Sequence, residues 1–443
     1  MENRICDLPD DLILQIMLFV PTKDAVATTI LSKRWRFISA LLPILEYKDS
    51  GSGTIGWFIE KSLQLHKAPK LEKLAVELGP HSPVDVDVEK CLENAVNRGV
   101  HDLDINLLWS AELTSFPKSL YTCDTLVDLV LSNKIIVDVP SPVSLPSLLS
   151  LSLINVVYKD EDSLAGILSS SSVLNWLMVE RRVDDNLTHF TVKVSTLETL
   201  YYTGAWPMDE AVEEGDDDDD DDLIGSLVID TPALDDISLI NICEDCCLID
   251  TMPCLDVAYI SHVIYPDDKF LKSLSFVKHL HLCLTNSMVG SSNDIKFSRL
   301  IEFYFLTKTV DWLEPLMFFL QNSPKLKFLT IHTEHESPSP PWNQPSSIPG
   351  CLSFQLEIFV WNNYEGRDDE KQLLSYILAN SECLKRAEIN PIATCNLEER
   401  QKEIQSMPRI STSSRLLFPT QMNRWRIKPR TEAPATRPRP LGY

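Results

Sequence analysis

One spacing governs the middle of this chain: an apolar residue, a second three positions on and a third two beyond that, returning from Leu71 to Ile389. The copies are Leu71/Leu74/Val76, Val100/Leu103/Ile105, Leu126/Leu129/Leu131, Leu148/Leu151/Leu153, Leu174/Leu177/Val179, Leu197/Leu200/Tyr202, Leu234/Ile237/Leu239, Leu255/Ala258/Ile260, Val277/Leu280/Leu282, Leu300/Phe303/Phe305, Leu326/Leu329/Ile331, Leu356/Phe359/Trp361 and Leu384/Ala387/Ile389. Successive copies begin 21 to 30 residues apart, with one interval of 37. A unit that short cannot bury its own apolar face and has to stack on its neighbours.

The last two members of each copy are two residues apart, the period of a strand, so they point inward together while the residue between them points out. One parallel strand per copy follows, and a period of roughly 20 to 29 residues is that of leucine-rich repeats, which predicts a curved solenoid. Pro117, Pro140, Pro142, Pro146, Pro232, Pro253 and Pro324 break the chain between strands, leaving irregular or weakly helical connections. In a chain that is 44% hydrophobic single triplets arise by chance, so nine or ten of the thirteen carry the reading, with those opened by Val100 and Leu255 the weakest. The outward strand positions form the expected binding surface of such an array. On it Trp176, Tyr201, Tyr259, His279, His281, Tyr304, Phe328 and His332 are the candidate target contacts, aromatic residues being favoured anchors.

The long interval holds Asp209, Glu210, Glu213, Glu214 and seven consecutive Asp from 216 to 222. Like charges at that density repel one another and cannot pack, so 209–222 reads as a disordered, solvated loop. Without these eleven charges the net charge of −24 would still be −13. A body of that sign disfavours nucleic acid, and no nucleic-acid partner is expected. Eleven cysteines spread over 443 residues argue for reduced thiols in the cytoplasm or nucleus rather than for a disulfide framework. The apolar stretch Leu12 to Val20 contains Gln15 and is too short to cross a bilayer, so neither a signal peptide nor a membrane partner is expected.

Ahead of the repeats the text changes period. Pro9 suits the first turn of a helix and Asp10 and Asp11 complement its positive end. Leu12, Ile13, Ile16, Phe19 and Val20 follow at helical spacing, but Leu14, Met17 and Leu18 make the other faces apolar too. Pro21 ends this helix, Thr22 is placed to cap a second through Ile30, and Ser32 a third in which Trp35, Ile38 and Leu42 share a face before Pro43. Three helices in so few residues leave apolar surface over. Read by periodicity alone, the segment is equally well the amino-terminal cap of a larger core.

The wording of this segment, Leu8-Pro9, Ile16, Phe19-Val20-Pro21 and Leu31-Ser32-Lys33-Arg34-Trp35, resembles the F-box, the motif by which substrate receptors dock on the Skp-type adaptor of cullin–RING ubiquitin ligases. The resemblance implies adaptor-binding or bundle-core roles for Leu8, Pro9, Ile16, Phe19, Val20, Pro21, Val26, Leu31, Ser32 and Trp35. Val26 and Trp35 also suit a purely internal role.

At the other end, a Pro-rich stretch from Pro341 to Pro345 leads to a strand at Leu356 to Trp361, a turn at Asn362-Asn363-Tyr364-Glu365-Gly366, a helix from about Asp368 to Asn380 and a second strand at Leu384 to Ile389. Such a unit caps the open end of a solenoid. With Met407-Pro408-Arg409-Ile410-Ser411-Thr412-Ser413 and Leu416-Leu417-Phe418 it resembles the FBD domain that follows an F-box and leucine-rich repeats in a large plant family. Tyr121-Thr122-Cys123-Asp124-Thr125-Leu126 and Val137-Asp138-Val139-Pro140-Ser141 are similar to that family's repeats. The poly-Asp run and the basic, Pro-rich tail with Arg424, Arg426, Lys428, Arg430, Arg437 and Arg439 depart from it.

Three patterns suggest chemistry. Gly51-Ser52-Gly53-Thr54-Ile55-Gly56 spells a dinucleotide fingerprint but has no βαβ unit around it, and reads as a joint. Cys243, Cys246 and Cys247, with Cys254 and His262 nearby, lack the second pair that a zinc site needs. His279 and His281 share a strand face and read as surface residues. No cofactor or metal is expected.

The sequence therefore predicts an α/β chain with a three-helix F-box over 1–47, a linker over 48–64, a leucine-rich-repeat solenoid over 65–340, an α/β FBD unit over 341–418 and a flexible tail over 419–443. Its expected role is a noncatalytic substrate receptor that joins a target to the adaptor and, through it, to cullin and RING subunits. The alternatives are a repeat scaffold whose F-box has degenerated, and an enzyme using the glycine or cysteine motif.

Overall fold

A computed structural model describes residues 8–49, 55–82, 86–205, 226–243, 247–249, 252–264, 267–285, 294–334, 342, 344–392 and 397–418. The chain divides into two compact units between Thr196 and Leu197. The fold is mixed α/β, and its main element is a long parallel sheet.

The first unit opens with helices α1 (Asp10–Met17), α2 (Thr22–Ala27) and α3 (Lys33–Ser39). Pro9 precedes α1, and its carbonyl accepts the Leu12 and Ile13 N–H groups at 3.1 Å each. Ser32 caps α3, its side chain accepting the Trp35 N–H at 3.3 Å. Thr22 does not act as a cap. It is the first residue of α2, is buried, and its Oγ1 accepts the Glu46 N–H at 2.8 Å, tying the helix to the first strand. Ile13, Met17, Ala25, Trp35, Ile38 and Leu42 form the small core between the helices.

The strands of this unit are β1 (Ile44–Lys48), β2 (Lys73–Leu78), β3 (Asp102–Leu107), β4 (Asp128–Asn133), β5 (Ile136–Val137), β6 (Ser150–Ile154), β7 (Val157–Tyr158), β8 (Trp176–Glu180) and β9 (His189–Lys193). Between them lie α4 (Ile55–Leu65), α5 (Val88–Asn97) and α6 (Glu161–Ser169). The parallel ladder runs β1-β2-β3-β4-β6-β8, and β5 pairs with β7 beside it.

Two sequence expectations change here. Residues 48–64 are not simply a linker: most of them belong to α4, whose Ile55, Ile59, Ser62 and Leu63 are buried, and Tyr47 Oη and Ser62 Oγ share a hydrogen bond of 2.8 Å. The ladder also begins one strand earlier, with Leu42/Leu45/Tyr47 as a further copy of the triplet.

The second unit contains β10 (Thr199–Thr203), β11 (Ser226–Asp230), β12 (Asp236–Cys243), β13 (Cys247–Ile249), β14 (Val257–Ile264), β15 (His279–Leu284), β16 (Glu302–Thr307), β17 (Phe328–Thr333), β18 (Ile358–Tyr364), β19 (Arg386–Pro391) and β20 (Arg415–Leu417). Its helices are α7 (Asp268–Ser273), α8 (Leu313–Asn322), α9 (Gly350–Phe354), α10 (Asp368–Asn380) and α11 (Leu397–Ser406). Here the ladder is β10-β12-β14-β15-β16-β17-β18-β19-β20, all parallel.

Register explains why the triplet recurs. Leu45, Leu74, Leu103, Leu129, Leu151 and Leu177 stand side by side, as do Tyr47, Val76, Ile105, Leu131, Leu153 and Val179. In the second unit Leu200, Ile237, Ala258, Leu280, Phe303, Leu329, Phe359 and Ala387 form one row and Tyr202, Leu239, Ile260, Leu282, Phe305, Ile331, Trp361 and Ile389 the next. All thirteen copies are in place, including the two opened by Val100 and Leu255, and none of these strand residues is more than 4% exposed. Stacking like on like in parallel strands builds continuous apolar columns, each large side chain contributing about 1.5–3 kcal/mol of burial.

Candidate docking surfaces

The amino-terminal helices display what they cannot bury. Ile16, Phe19, Val20 and Leu31 are exposed, Phe19 at 90% and Leu31 at 62%. Leu12, Leu18 and Ile30 join them, Ile30 at 85%. The nearly all-round apolar pattern of residues 12–20 was the signal for the first two; Ile30 had none. Leu8 is half-buried, Pro9 and Pro21 are exposed, and Val26 is half-buried. Trp35 is buried at 5% and holds the helices together. Ser32 shapes the start of α3 through its cap. Arg34 clasps the entry to α1, with Nε donating to Asp10 Oδ1 at 2.7 Å and Nη2 to the Leu8 carbonyl. A monomer seldom leaves this many large apolar side chains in water without a partner for them.

The outward face of the ladder differs between the units. In the first, charged and apolar side chains share it: Glu46 of β1, Ala75 and Glu77 of β2, Asp104 and Asn106 of β3, and Val130 and Ser132 of β4 line a groove of about 380 Å³. Val130 is an expected outward strand position, but none of the others is among the expected contacts, although Asp-Leu-Asp-Ile-Asn at 102–106 carries the alternation that places Asp104 and Asn106.

In the second unit the outward face is aromatic. Tyr259, His281 and Tyr304 are register partners on β14, β15 and β16, with the His281 ring 4.2 Å from each tyrosine ring. Burial lowers the His281 pKa to about 4, helped by the charge of His332, and both ring nitrogens are buried without a hydrogen-bond partner among the described residues. His332 lies between Tyr304, with Oη 3.0 Å from Nδ1, and Asn363, with Nδ2 2.8 Å from Nε2. Burial likewise pushes the Tyr304 hydroxyl up to about 12. His279 is exposed and pairs with Glu302 at 3.0 Å, and Phe328 is half-buried.

Trp176 and Tyr201 do not lie on an open face: each is 4% exposed. Trp176, Leu177, Met178 and Val179 are all buried, so β8 is covered on both sides. Its unbroken apolar run is the signature of a doubly covered strand. A target contact at either residue would first have to uncover it.

Of the glycine fingerprint, 51–54 lie outside the described residues, while Gly56 sits in α4 with Val86 Cγ2 2.7 Å from where a Cβ would stand. That glycine serves helix packing. Cys246 lies outside the described residues, as do the poly-Asp run and the basic tail. Among the described residues no group of three or more His, Cys, Asp or Glu is placed to hold a metal ion, and no helix is long and apolar enough to cross a membrane.

Glu370 anchors the carboxy-terminal unit. Its Oε2 accepts the N–H groups of Glu365, Gly366 and Arg367 at 2.9, 2.7 and 3.1 Å, and its Oε1 accepts the Thr333 hydroxyl at 3.1 Å. One carboxylate thus joins β17, the turn after β18 and the start of α10. Gly366 has φ +75, and a Cβ there would run into the Arg400 guanidinium.

Three family models match the chain: the F-box domain over residues 5–47, the LRR repeats of FBD-associated F-box protein At5g56370 over 88–215, and FBD over 344–389. F-box/FBD/LRR-repeat protein At1g22000 of Arabidopsis thaliana is 63% identical over 439 residues, covering 97% of this chain and 94% of its own. FBD-associated F-box protein At1g05080 is 44% identical over 94% of this chain and 97% of its own, and F-box/FBD/LRR-repeat protein At4g26340 is 38% identical over 94% and 100%, both from the same plant. The chain belongs to the F-box/FBD/LRR-repeat protein family.

Proposed function

We propose that this chain is a noncatalytic substrate receptor of an SCF-type ubiquitin ligase. The F-box segment docks on a Skp-type adaptor and, through it, on cullin and RING subunits, while the ladder and FBD unit hold a target protein. The observation that carries the reading is the exposed apolar set Ile16, Phe19, Val20 and Leu31 on the segment that matches the F-box domain. Four such side chains, at about 1.5–3 kcal/mol each, offset much of the roughly 4–15 kcal/mol cost of association. Leu8, Pro9 and Pro21 fix the entry and exit of the helices that present them, and Trp35 acts from within. The mechanism is proximity: a bound target is held at high effective concentration near the ubiquitin-charged enzyme. The boundaries that suit this reading are an F-box ending near Leu42, repeats from β1 onward and an FBD unit extending to β20. Its place of action is the cytoplasm or nucleus.

The test is co-purification of the full chain with a Skp-type adaptor, beside an Ile16→Ala/Phe19→Ala/Leu31→Ala variant whose fold is checked by circular dichroism. A stoichiometric complex lost in the variant is expected. A folded wild-type chain that retains no adaptor would leave only a repeat scaffold.

A further inference from the structure

The groove of the first unit, its lining part charged and part apolar, crosses five neighbouring strands, from Glu46 on β1 to Ile154 on β6. At a strand spacing of about 4.8 Å it is roughly 19 Å long, the length of about six extended residues. Its volume of about 380 Å³ falls within the range of ligand-binding clefts.

Charges inside it are unevenly paired. Lys48 meets Glu77 at 2.9 Å and Lys73 meets Glu46 at 2.5 Å. Asp104, on the central strand β3, has no hydrogen bond or ion pair with any described residue. Burial raises its pKa, with Lys73 opposing and Glu46 and Glu77 reinforcing the rise. An apolar occupant would strip water from this carboxylate and return nothing, and an acidic one would be repelled. A cationic side chain supplies the missing partner, and arginine matches a carboxylate with two parallel N–H donors. Beside Asp104, Asn133 Nδ2 donates to Asn106 Oδ1 at 2.7 Å, and the amide atoms left over suit the polar backbone of an extended segment.

We infer that this groove takes a basic, extended segment of the target protein, with an arginine or lysine of that segment seated on Asp104. The inference rests on the receptor reading for the identity of the occupant as target, and on the groove alone for its chemistry.

The probe is a fluorescein-labelled octapeptide of alternating alanine and arginine, titrated by anisotropy against the full chain. Asp104→Asn should weaken binding at least tenfold and Asp104→Glu should retain it, with Glu93→Gln, an equal loss of charge on the exposed face of α5, leaving it unchanged. Equal losses in Asp104→Asn and Glu93→Gln, or none in either, would overturn the site in favour of diffuse attraction to an acidic chain. A full chain with Arg424, Arg426, Lys428 and Arg430 changed to alanine should bind as the wild type does. Tenfold tighter binding would make its own tail the occupant and overturn the assignment to a target. Adaptor co-purification is expected to be intact in Asp104→Asn. If instead the wild type binds peptide but no adaptor, the receptor reading falls and the groove stands.

Discussion

The amino-terminal helices and the carboxy-terminal α/β unit are both rich in large apolar side chains, yet they dispose of them in opposite ways. Trp361 is wholly buried, with Trp312, Phe359 and Tyr364 around it at ring separations of 5.9, 6.0 and 5.3 Å. Phe19 stands almost fully in water. A strand–helix–strand unit has an adjoining ladder to pack against, whereas three short helices have more apolar faces than inner surface. Composition alone therefore cannot separate a core from a docking patch; the ratio of apolar residues to available inner surface does.

The comparison breaks if the two aromatic residues behave alike. Trp361→Ala should lower the stability of the chain by about 3–5 kcal/mol, the range for truncating a buried aromatic residue. Phe19→Ala should change it by less than about 0.5 kcal/mol and yet abolish adaptor retention. Denaturant titration and adaptor pull-down on the same preparations read both effects.

Glu370→Ala sharpens the same contrast on the polar side. Its removal leaves three backbone N–H groups and the Thr333 hydroxyl without their acceptor, at about 1–3 kcal/mol for each buried donor that water cannot reach. A loss near 3 kcal/mol is expected, and Glu370→Gln, which keeps an acceptor oxygen, should lose less. Equal losses in the two variants would mean that the side chain packs rather than bonds.

The ladder was legible to a degree the thirteen triplets did not promise individually. Parallel strands in register force the same positions to be apolar in every copy, so the period itself identifies even Val100 and Leu255, whose own triplets are ordinary. What stayed hidden had two meanings at once. Leu42, three residues past the end of α3, stands at the helical spacing of Trp35 and Ile38 and also opens a triplet, so the helical reading absorbed it and β1 with it. The glycines at 51, 53 and 56 drew attention from the apolar spacing Ile55, Ile59 and Leu63 that makes α4. At Trp176 and Tyr201 alternation told which way a side chain points but not whether something covers it. Asp104 carries no aromatic signal, and what marks it, a half-buried carboxylate with no hydrogen bond among the described residues, depends on neighbouring strands and so is not written in its own segment.

His281 tests whether the aromatic row of the second unit is core or surface. Its folded pKa of about 4 lies below the ordinary 6.5, so between those values the unfolded chain holds the extra proton. The stability at stake is present above pH 6.5 and is lost as pH falls toward 4. His281→Phe should remove this component and flatten the pH dependence of the melting temperature across that window. It also removes two buried nitrogens that bond to none of the described residues, so at neutral pH a gain of about 1 kcal/mol is expected. An unchanged pH profile would show that the ring is solvated and available to a target.

Ser32 gives the smallest effect and decides between two roles for one residue. As the cap of α3 it accepts the Trp35 N–H at 3.3 Å, and Ser32→Ala should cost about 1 kcal/mol. Asp is as good a cap as Ser, and its charge suits the positive end of the helix, so Ser32→Asp should keep the stability. If Ser32 acts only by shaping α3, the Asp variant also keeps the adaptor. If its hydroxyl touches the adaptor, the Asp variant melts like the wild type but no longer co-purifies with it. Melting curves and pull-downs of these two variants therefore separate a residue that builds the docking surface from one that belongs to it.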